Sequence, residues 1–288
     1  MTLQAAAETG LQAGTPVVSG IFDIDASAVG SGAVKVGQAC IIAGTWSINE
    51  VITAEPLVAP SLFMTSLFAS PGLFLSTEAS ATSATNLEWF VAQCCGDERI
   101  EAQQRGISVY DVCNEKVASV DPQTTNIFFH PFLFGSNVQP TARAGFYGIA
   151  GRHTRAHLLR ALYEGVVFGH LTHINKLRAA GAQINSARLT GGGSRSQVWS
   201  QIFADTIQVP MEITDGSELG ARGAALSAGV GTGVYSDYAE AVDQAVKLKH
   251  VYEPNTDIAP LYLERFEEYS RLIQAMQSSW DSINGLSG

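Results

Sequence analysis

Residues Leu189–Pro210, LTGGGSRSQVWSQIFADTIQVP, constrain the fold more than any other stretch of the chain. An apolar, β-favouring run ends there, three consecutive glycines follow, and a helical pattern begins at Ser194–Ser196. Without a Cβ, Gly191, Gly192 and Gly193 reach conformations and approach distances closed to other residues. Ser196 reads as the N-cap of the helix, which Gln208-Val209-Pro210 closes. A glycine turn between strand and helix presents backbone N–H groups at the positive end of a helix dipole, which suits a phosphate or a nucleotide. On spacing alone, a purely structural turn stays equally open.

The remaining sequence supplies an α/β core around that turn. A chain of 288 residues that is 46% hydrophobic and only 15% charged can bury one large core or two modest ones. Its formal net charge of −10 argues against a nucleic-acid partner and against an anionic membrane surface. A nucleotide held by local N–H groups remains compatible with that charge. No run approaches the roughly 18 apolar residues of a membrane span. The N-terminus lacks the basic, then apolar, pattern of a signal peptide, so a cytoplasmic chain is expected. Cys40, Cys94, Cys95 and Cys113 stand at no metal-ligand spacing and read as buried thiols in a reducing compartment.

Taken in order, Thr15–Phe22 reads as a strand after the Gly14-Thr15-Pro16 turn. It ends at Asp23, before a run of small residues with the pattern of a short helix. A carboxylate there lies where α/β sheets open their ligand crevice, although a helix-capping role for Asp23 or Asp25 fits equally. Gln38–Thr45 and Trp46–Thr53 read as a strand pair joined at Gly44-Thr45. That turn offers two backbone donors and a hydroxyl to a phosphate, or is simply a hairpin turn. Strands are expected near Leu62–Ser66 and Leu73–Thr77, and helices at Ala81–Cys95 and Ile107–Val117. Asp121–Gly145 is loop-rich and aromatic, with His130 packed among phenylalanines.

His153–Ala180 is the longest helical stretch and carries apolar residues on more than one face. His153, His157, His170 and His173 have suggestive spacings, but no carboxylate or cysteine joins them in a metal-binding pattern, so packing roles are expected. A strand at Met211–Thr214 precedes a helix at Glu218–Val230, where Ala221, Gly223, Ala224, Ala225 and Ala228 allow close approach of another backbone. Further helices are expected at Tyr238–Val246 and Ala259–Ile283, with a Gly/Ser tail that frays.

Asp23, Gly44-Thr45 and Gly191–Ser196, in that order, resemble the C-terminal portion of the FGGY family of carbohydrate kinases. SGIFDIDASAVGSG, AGTWSINEVI, EASATSATNLEWF, HTRAHLLRALYEGVVF and TGGGSRSQVWSQIFADTIQVPMEITDGSELGARGAALSAGVGTGVY all fall in family order. Within the family the chain is most similar to kinases of L-xylulose, with kinases of erythritol and other pentuloses or polyols next. The resemblance implies an α/β, actin-like (ribonuclease H-like) ATPase fold and transfer of the ATP γ-phosphoryl group to a hydroxyl of a sugar or polyol, with Mg²⁺ as the second cofactor. It implies that residues 1–30 end the N-terminal domain and carry the catalytic aspartate, and that residues 31–288 form the C-terminal nucleotide-binding domain.

Carried over by position, Asp23 matches the catalytic base. Gly44 and Thr45 match a phosphate-binding turn, and Gly191, Gly192 and Gly193 match glycines on the adenosine side. Ser196 falls where some relatives have an asparagine near adenine. Ala84 and Glu88 match a helix lining the nucleotide pocket, although Ala84 stands where glycine is common in glycerol kinases. Mg²⁺ is expected through phosphates and waters, without a protein metal cage. The family's N-terminal domain, with its first phosphate turn and most sugar contacts, has no counterpart in this sequence. That points to a truncated product, a split subunit or an isolated domain. A sugar kinase half, a nucleotide-binding or interaction module without turnover, and a folded remnant are the readings carried forward, with homodimer formation left open.

Overall fold

A computed structural model describes residues 1–136 and 140–286. A short helix α1 (Leu3–Thr9) precedes α2 (Asp23–Ser31). Then come β1 (Gln38–Ala43), β2 (Ser47–Thr53), β3 (Met64–Leu67) and β4 (Phe74–Ser80). Three helices follow: α3 (Thr85–Cys94), α4 (Gly96–Arg105) and α5 (Val109–Ala118). The two-stranded pair β5 (Phe128–His130) and β6 (Gly145–Tyr147) leads into the long helix α6 (Arg155–Ala179). The chain then runs through β7 (Ser186–Thr190), α7 (Gln197–Ile207), β8 (Met211–Thr214), α8 (Leu219–Gly231), α9 (Tyr238–Ala245), β9 (Leu248–Tyr252) and α10 (Ala259–Gly285).

One seven-stranded sheet in the order β3-β4-β2-β1-β7-β8-β9 organises these elements. The central pairs β1–β7 and β7–β8 are parallel, and the flanking pairs are antiparallel. β1 and β7 therefore end side by side, and the turns that follow them share one edge of the sheet, where open α/β sheets place ligands.

Each strand's alternation divides the core into two layers. Ala39, Ile41, Ala43 and Val51 face α6, α3, α7 and α10. Cys40 and Ile52 face α2, α8 and α9. The α6 face is held by buried, paired polar groups as well as apolar contact. Glu164 accepts from Arg160 at 2.7 Å and from Arg265 at 2.6 Å, tying α6 to α10. His173 bridges Glu78 (3.1 Å) and Ser80 (3.0 Å). On the other face, α2 and α8 meet almost backbone to backbone. A Cβ on Gly223 would stand 1.8 Å from the Ala26 carbonyl oxygen, and one on Gly30 would stand 1.8 Å from that of Leu219. Gly223 makes the close approach expected of this small-residue helix, while Ala221, Ala224 and Ala225 face solvent.

Most expected elements are present within a few residues, with the following departures. Thr15–Phe22 forms no strand. Among the described residues no strand pairs with it, Pro16 lacks an N–H, and Val17 and Phe22 are exposed. Asp23 thus follows an extended segment outside the sheet. α1, α4, the β5–β6 pair inside the expected loop and β9 were not anticipated; α4 is strongly polar and β9 is an exposed edge strand. Cys94 is exposed, whereas Cys40, Cys95 and Cys113 are buried. Within the aromatic loop, His130 is buried and its Nε2 lies 3.3 Å from the Tyr269 carbonyl oxygen. The last two residues of the Gly/Ser tail lie outside the described residues.

Candidate functional site

The turns after β1 and β7 are in direct backbone contact. Gly191 has φ +79°, and a Cβ there would stand 2.6 Å from the Ala43 carbonyl oxygen and 3.0 Å from the Gly44 nitrogen. A side chain at this position would be strained by its dihedral and would force the two turns apart. Gly193 is buried and faces the Ala43 side chain. Gly191 and Gly192 are exposed at the sheet edge, followed by a single 3₁₀ turn, Gly192–Arg195.

A third segment docks on the same turn. Ala84 donates its N–H to the Gly44 carbonyl oxygen at 2.8 Å, and Thr85 Oγ1 donates to the Thr45 carbonyl oxygen at 3.3 Å. The N-terminus of α3 is thereby fixed to the β1–β2 turn. His170, fully buried on α6, holds this arrangement from below. Its Nδ1 lies 2.7 Å from Asn49 Oδ1 and 3.0 Å from Ser47 Oγ, and its Nε2 lies 2.8 Å from Ser83 Oγ. Burial pushes its pKa down to about 3. The neutral ring then links the residues just after one turn to those just before α3.

A cavity of about 360 Å³ opens between α3, α5 and the glycine turn. Ala84, Glu88, Gly192 and Ser196 line it together, with Asn114, Tyr110, Asp111 and Arg195 on the other walls. Ser196 is the N-cap of α7. Its Oγ accepts from the Trp199 N–H at 3.1 Å and donates to Asn114 Oδ1 at 2.7 Å. Asn114 Oδ1 also accepts from Tyr163 OH at 2.9 Å. Tyr163 stacks on Trp199 with ring centroids 4.3 Å apart, giving the cavity a rigid aromatic floor. The wall residues on α5 were not foreseen, since nothing in its sequence pattern distinguishes them from an ordinary helix surface.

Asp23 occupies the first turn of α2, exposed, with Oδ1 accepting from the Ile24 N–H at 2.9 Å. α2 runs back along β1: Ser31 at its far end donates to Cys40 Sγ at 3.7 Å. Beneath it lie two further carboxyl groups. Asp25 is 5% exposed, and burial, with Asp23 adding like charge, pushes its pKa up to about 6. Glu50 is fully buried on β2, opposite Cys40, and burial drives its pKa well above the carboxylate range.

Residues 39–232 match the C-terminal domain of the FGGY family of carbohydrate kinases. The chain is 39% identical over 284 residues to the L-xylulose/3-keto-L-gulonate kinase of Escherichia coli (strain K12), covering 96% of this chain and 54% of that protein. It is 37% identical over 279 residues to a probable L-xylulose kinase of Pasteurella multocida (strain Pm70), with the same coverage of both chains. The crystal structure of xylulose kinase from Rhodospirillum rubrum superposes with a TM-score of 0.84 at 28% identity, covering 97% of this chain and 55% of that one. The chain thus spans about half the length of the relatives it matches.

Proposed function

Because the chain belongs to the FGGY family of carbohydrate kinases, with its actin-like ATPase fold, we propose that it serves ATP-dependent phosphorylation of a hydroxyl on a small sugar, with L-xylulose as the leading substrate. Erythritol and other pentuloses or polyols are the alternatives. In this reading the cavity between α3, α5 and the glycine turn takes adenosine, Gly44-Thr45 and Gly191-Gly192 flank the phosphates, and Asp23 accepts the proton of the attacking hydroxyl. Residues 1–30 belong with the sugar-side domain, and residues 31–288 form the nucleotide side. A cytoplasmic location fits a kinase of small metabolites. A homodimer is left open.

The observation that carries the reading is convergence. Ala84, Glu88, Gly192 and Ser196 line one cavity, and Gly44 and Gly191 meet in the two backbone turns beside it, although these residues are scattered over some 150 positions of sequence. Phosphoryl transfer demands positioning and charge stabilisation more than covalent chemistry, so bare backbone donors and one base suffice. Among the described residues no three His, Cys, Asp or Glu side chains converge as a metal cage. Asp23 is an exposed carboxylate on α2; a Mg²⁺ would be held mainly by nucleotide phosphates and waters and would neutralise charge on the phosphates. A base must reach the hydroxyl itself, and the exposed Asp23 side chain is free to do so.

The test is a steady-state assay of the full-length kinase against a panel of ketopentoses and tetritols, with and without Asp23→Asn. The substitution is expected to lower kcat by roughly 10²–10⁴, the usual worth of a general base. Unchanged turnover would remove Asp23 from the mechanism. Calorimetry of ATP into the present chain separates the cavity assignment from the chemistry: measurable binding with negligible turnover is expected.

A further inference from the structure

Another cavity, of about 520 Å³, lies against the glycine turn and is lined by no residue of α3 or α5. It opens at the ends of the parallel strands β7 and β8, where α/β sheets take their ligands. Its charge runs against that of the chain. With 27 acidic residues to 17 basic ones overall, the chain lines this cavity with Arg195, Lys249 and His250 and with no carboxylate. The cavity between α3 and α5 carries Glu88 and Asp111 beside the same Arg195. Acids near the cation-lined cavity are engaged elsewhere. Asp215 accepts from Arg222 at 2.7 Å and from the Lys247 N–H at 3.2 Å, and Glu212 pairs with Arg188 at 3.1 Å. Among the described residues, Arg195 and Lys249 have no hydrogen bond or ion pair of their own.

A break in strand register brings two of these groups to one side. Ile213 pairs with His250 and Thr214 with Leu248, so Lys249 is an additional residue in β9 without a partner on β8. Neighbours in a regular strand point to opposite faces, yet Lys249 and His250 both line the cavity. Bulges of this kind re-aim side chains and concentrate beside functional sites. The remaining lining suits a polyol. Ser217 and Gln197 offer a hydroxyl and an amide, while Ile213 and Tyr252 offer an apolar patch for sugar C–H groups. The volume falls among small-molecule sites, about 300–1,000 Å³, and exceeds what a bare phosphate fills.

We propose that this cavity binds a phosphorylated sugar at a site separate from the cavity between α3 and α5. Arg195 and Lys249 hold the phosphate dianion through charge-assisted hydrogen bonds, and Ser217 and Gln197 meet the sugar hydroxyls. The site stands whether or not the other cavity takes adenosine.

Calorimetry on the present chain tests this with D-ribulose 5-phosphate as the probe, and with inorganic phosphate, D-ribulose and ATP in separate arms. D-Ribulose 5-phosphate should bind at a single site, with inorganic phosphate and D-ribulose each about tenfold weaker or more. Lys249→Ala should weaken its binding by about tenfold, the loss of one charge-assisted hydrogen bond, and Lys249→Arg should restore most of it. Lys249 is exposed on an edge strand, so both variants should unfold at the wild-type temperature. ATP should bind Lys249→Ala as it binds the wild type, and saturating ATP should not displace the sugar phosphate. No binding of D-ribulose 5-phosphate, or binding that Lys249→Ala leaves unchanged, overturns the site. Inorganic phosphate binding as tightly overturns the sugar phosphate as its ligand. Displacement by ATP, or weaker ATP binding to Lys249→Ala, would seat the triphosphate here and overturn a separate site. Failure of ATP to bind at all counts against the nucleotide reading of the other cavity, while the D-ribulose 5-phosphate titration still decides this one.

Discussion

The carboxyl groups buried on the two faces of the central sheet are held on different terms. On the α6 face, Glu164 meets two guanidinium groups, His173 meets Glu78 and Ser80, and His170 meets three polar side chains. On the α2 face, neither Glu50 oxygen has a hydrogen-bond partner, and the group within reach is the weakly donating Cys40 thiol. Asp25 Oδ1 is likewise without one. Pairing compensates the desolvation of a buried charge, whereas an unpaired carboxyl must give up its charge or lower stability. The face that fixes the cavity and its turns is therefore built for shape. The face beneath Asp23 gives up stability while placing acidic groups under an exposed aspartate.

The sharpest way to break this contrast is to remove the partner on the satisfied side. Glu164→Ala leaves Arg160 and Arg265 buried without their carboxylate, and loss of one partner from such a group costs about 3–5 kcal/mol. Thermal unfolding should then show Tm lowered by about 10 °C for a chain of this size. A loss below 1 kcal/mol would mean that the backbone carbonyls of Thr125 and Ile127, which also accept from Arg265, carry the guanidinium alone.

The opposite sign is expected across the sheet. Glu50→Leu replaces a buried, unpartnered carboxyl with an apolar side chain among Cys40, Ile52 and Leu75. A gain of about 1–3 kcal/mol in urea unfolding is expected, the scale for relieving an uncompensated polar group. A loss of stability would place a compensating interaction at Glu50 and erase the distinction between the faces.

How far the chain could be read in advance follows the same division. The hairpin at Gly44-Thr45, the triple glycine, the Ser196 cap and the long helix α6 each have a local cause: glycine freedom, capping chemistry or sustained periodicity. These were legible, and the expected residues 44, 84, 191, 192 and 193 do lie together. The segment before Asp23 was misread because alternation and β-propensity say nothing about whether a partner strand exists. Asn114 and Tyr110 on the cavity wall gave no signal of their own, and His170 was marked only as a packing histidine, with nothing to tie it to the turns. Their place depends on α5 and α6 packing against elements tens of residues away. Ser196 shows the limit most clearly. Its residue type announced a cap, yet the Oγ is also committed to Asn114, so its part in the cavity is to position a neighbour.

The smallest expected effect is on pH dependence, and its sign tests both faces together. Asp25 releases its proton near 3.8 in the unfolded chain but near pH 6 in the folded one. Between those values the native state binds the additional proton, so this group makes stability fall as pH rises from about 4 to 6. His170 acts in reverse. The unfolded ring takes up a proton near pH 6.5, while the buried ring stays neutral down to about pH 3. There the unfolded state binds more protons, so stability rises with pH across the same window. The two slopes oppose each other in the wild type. Asp25→Asn removes one of them, so urea midpoints measured at pH 4.5 and 6 should diverge more in the variant, with the higher midpoint at pH 6. Equal divergence in both proteins would show that Asp25 is ionised in the native state at both pH values. The unpaired carboxyl beneath Asp23 would then be as well compensated as its counterparts on the α6 face.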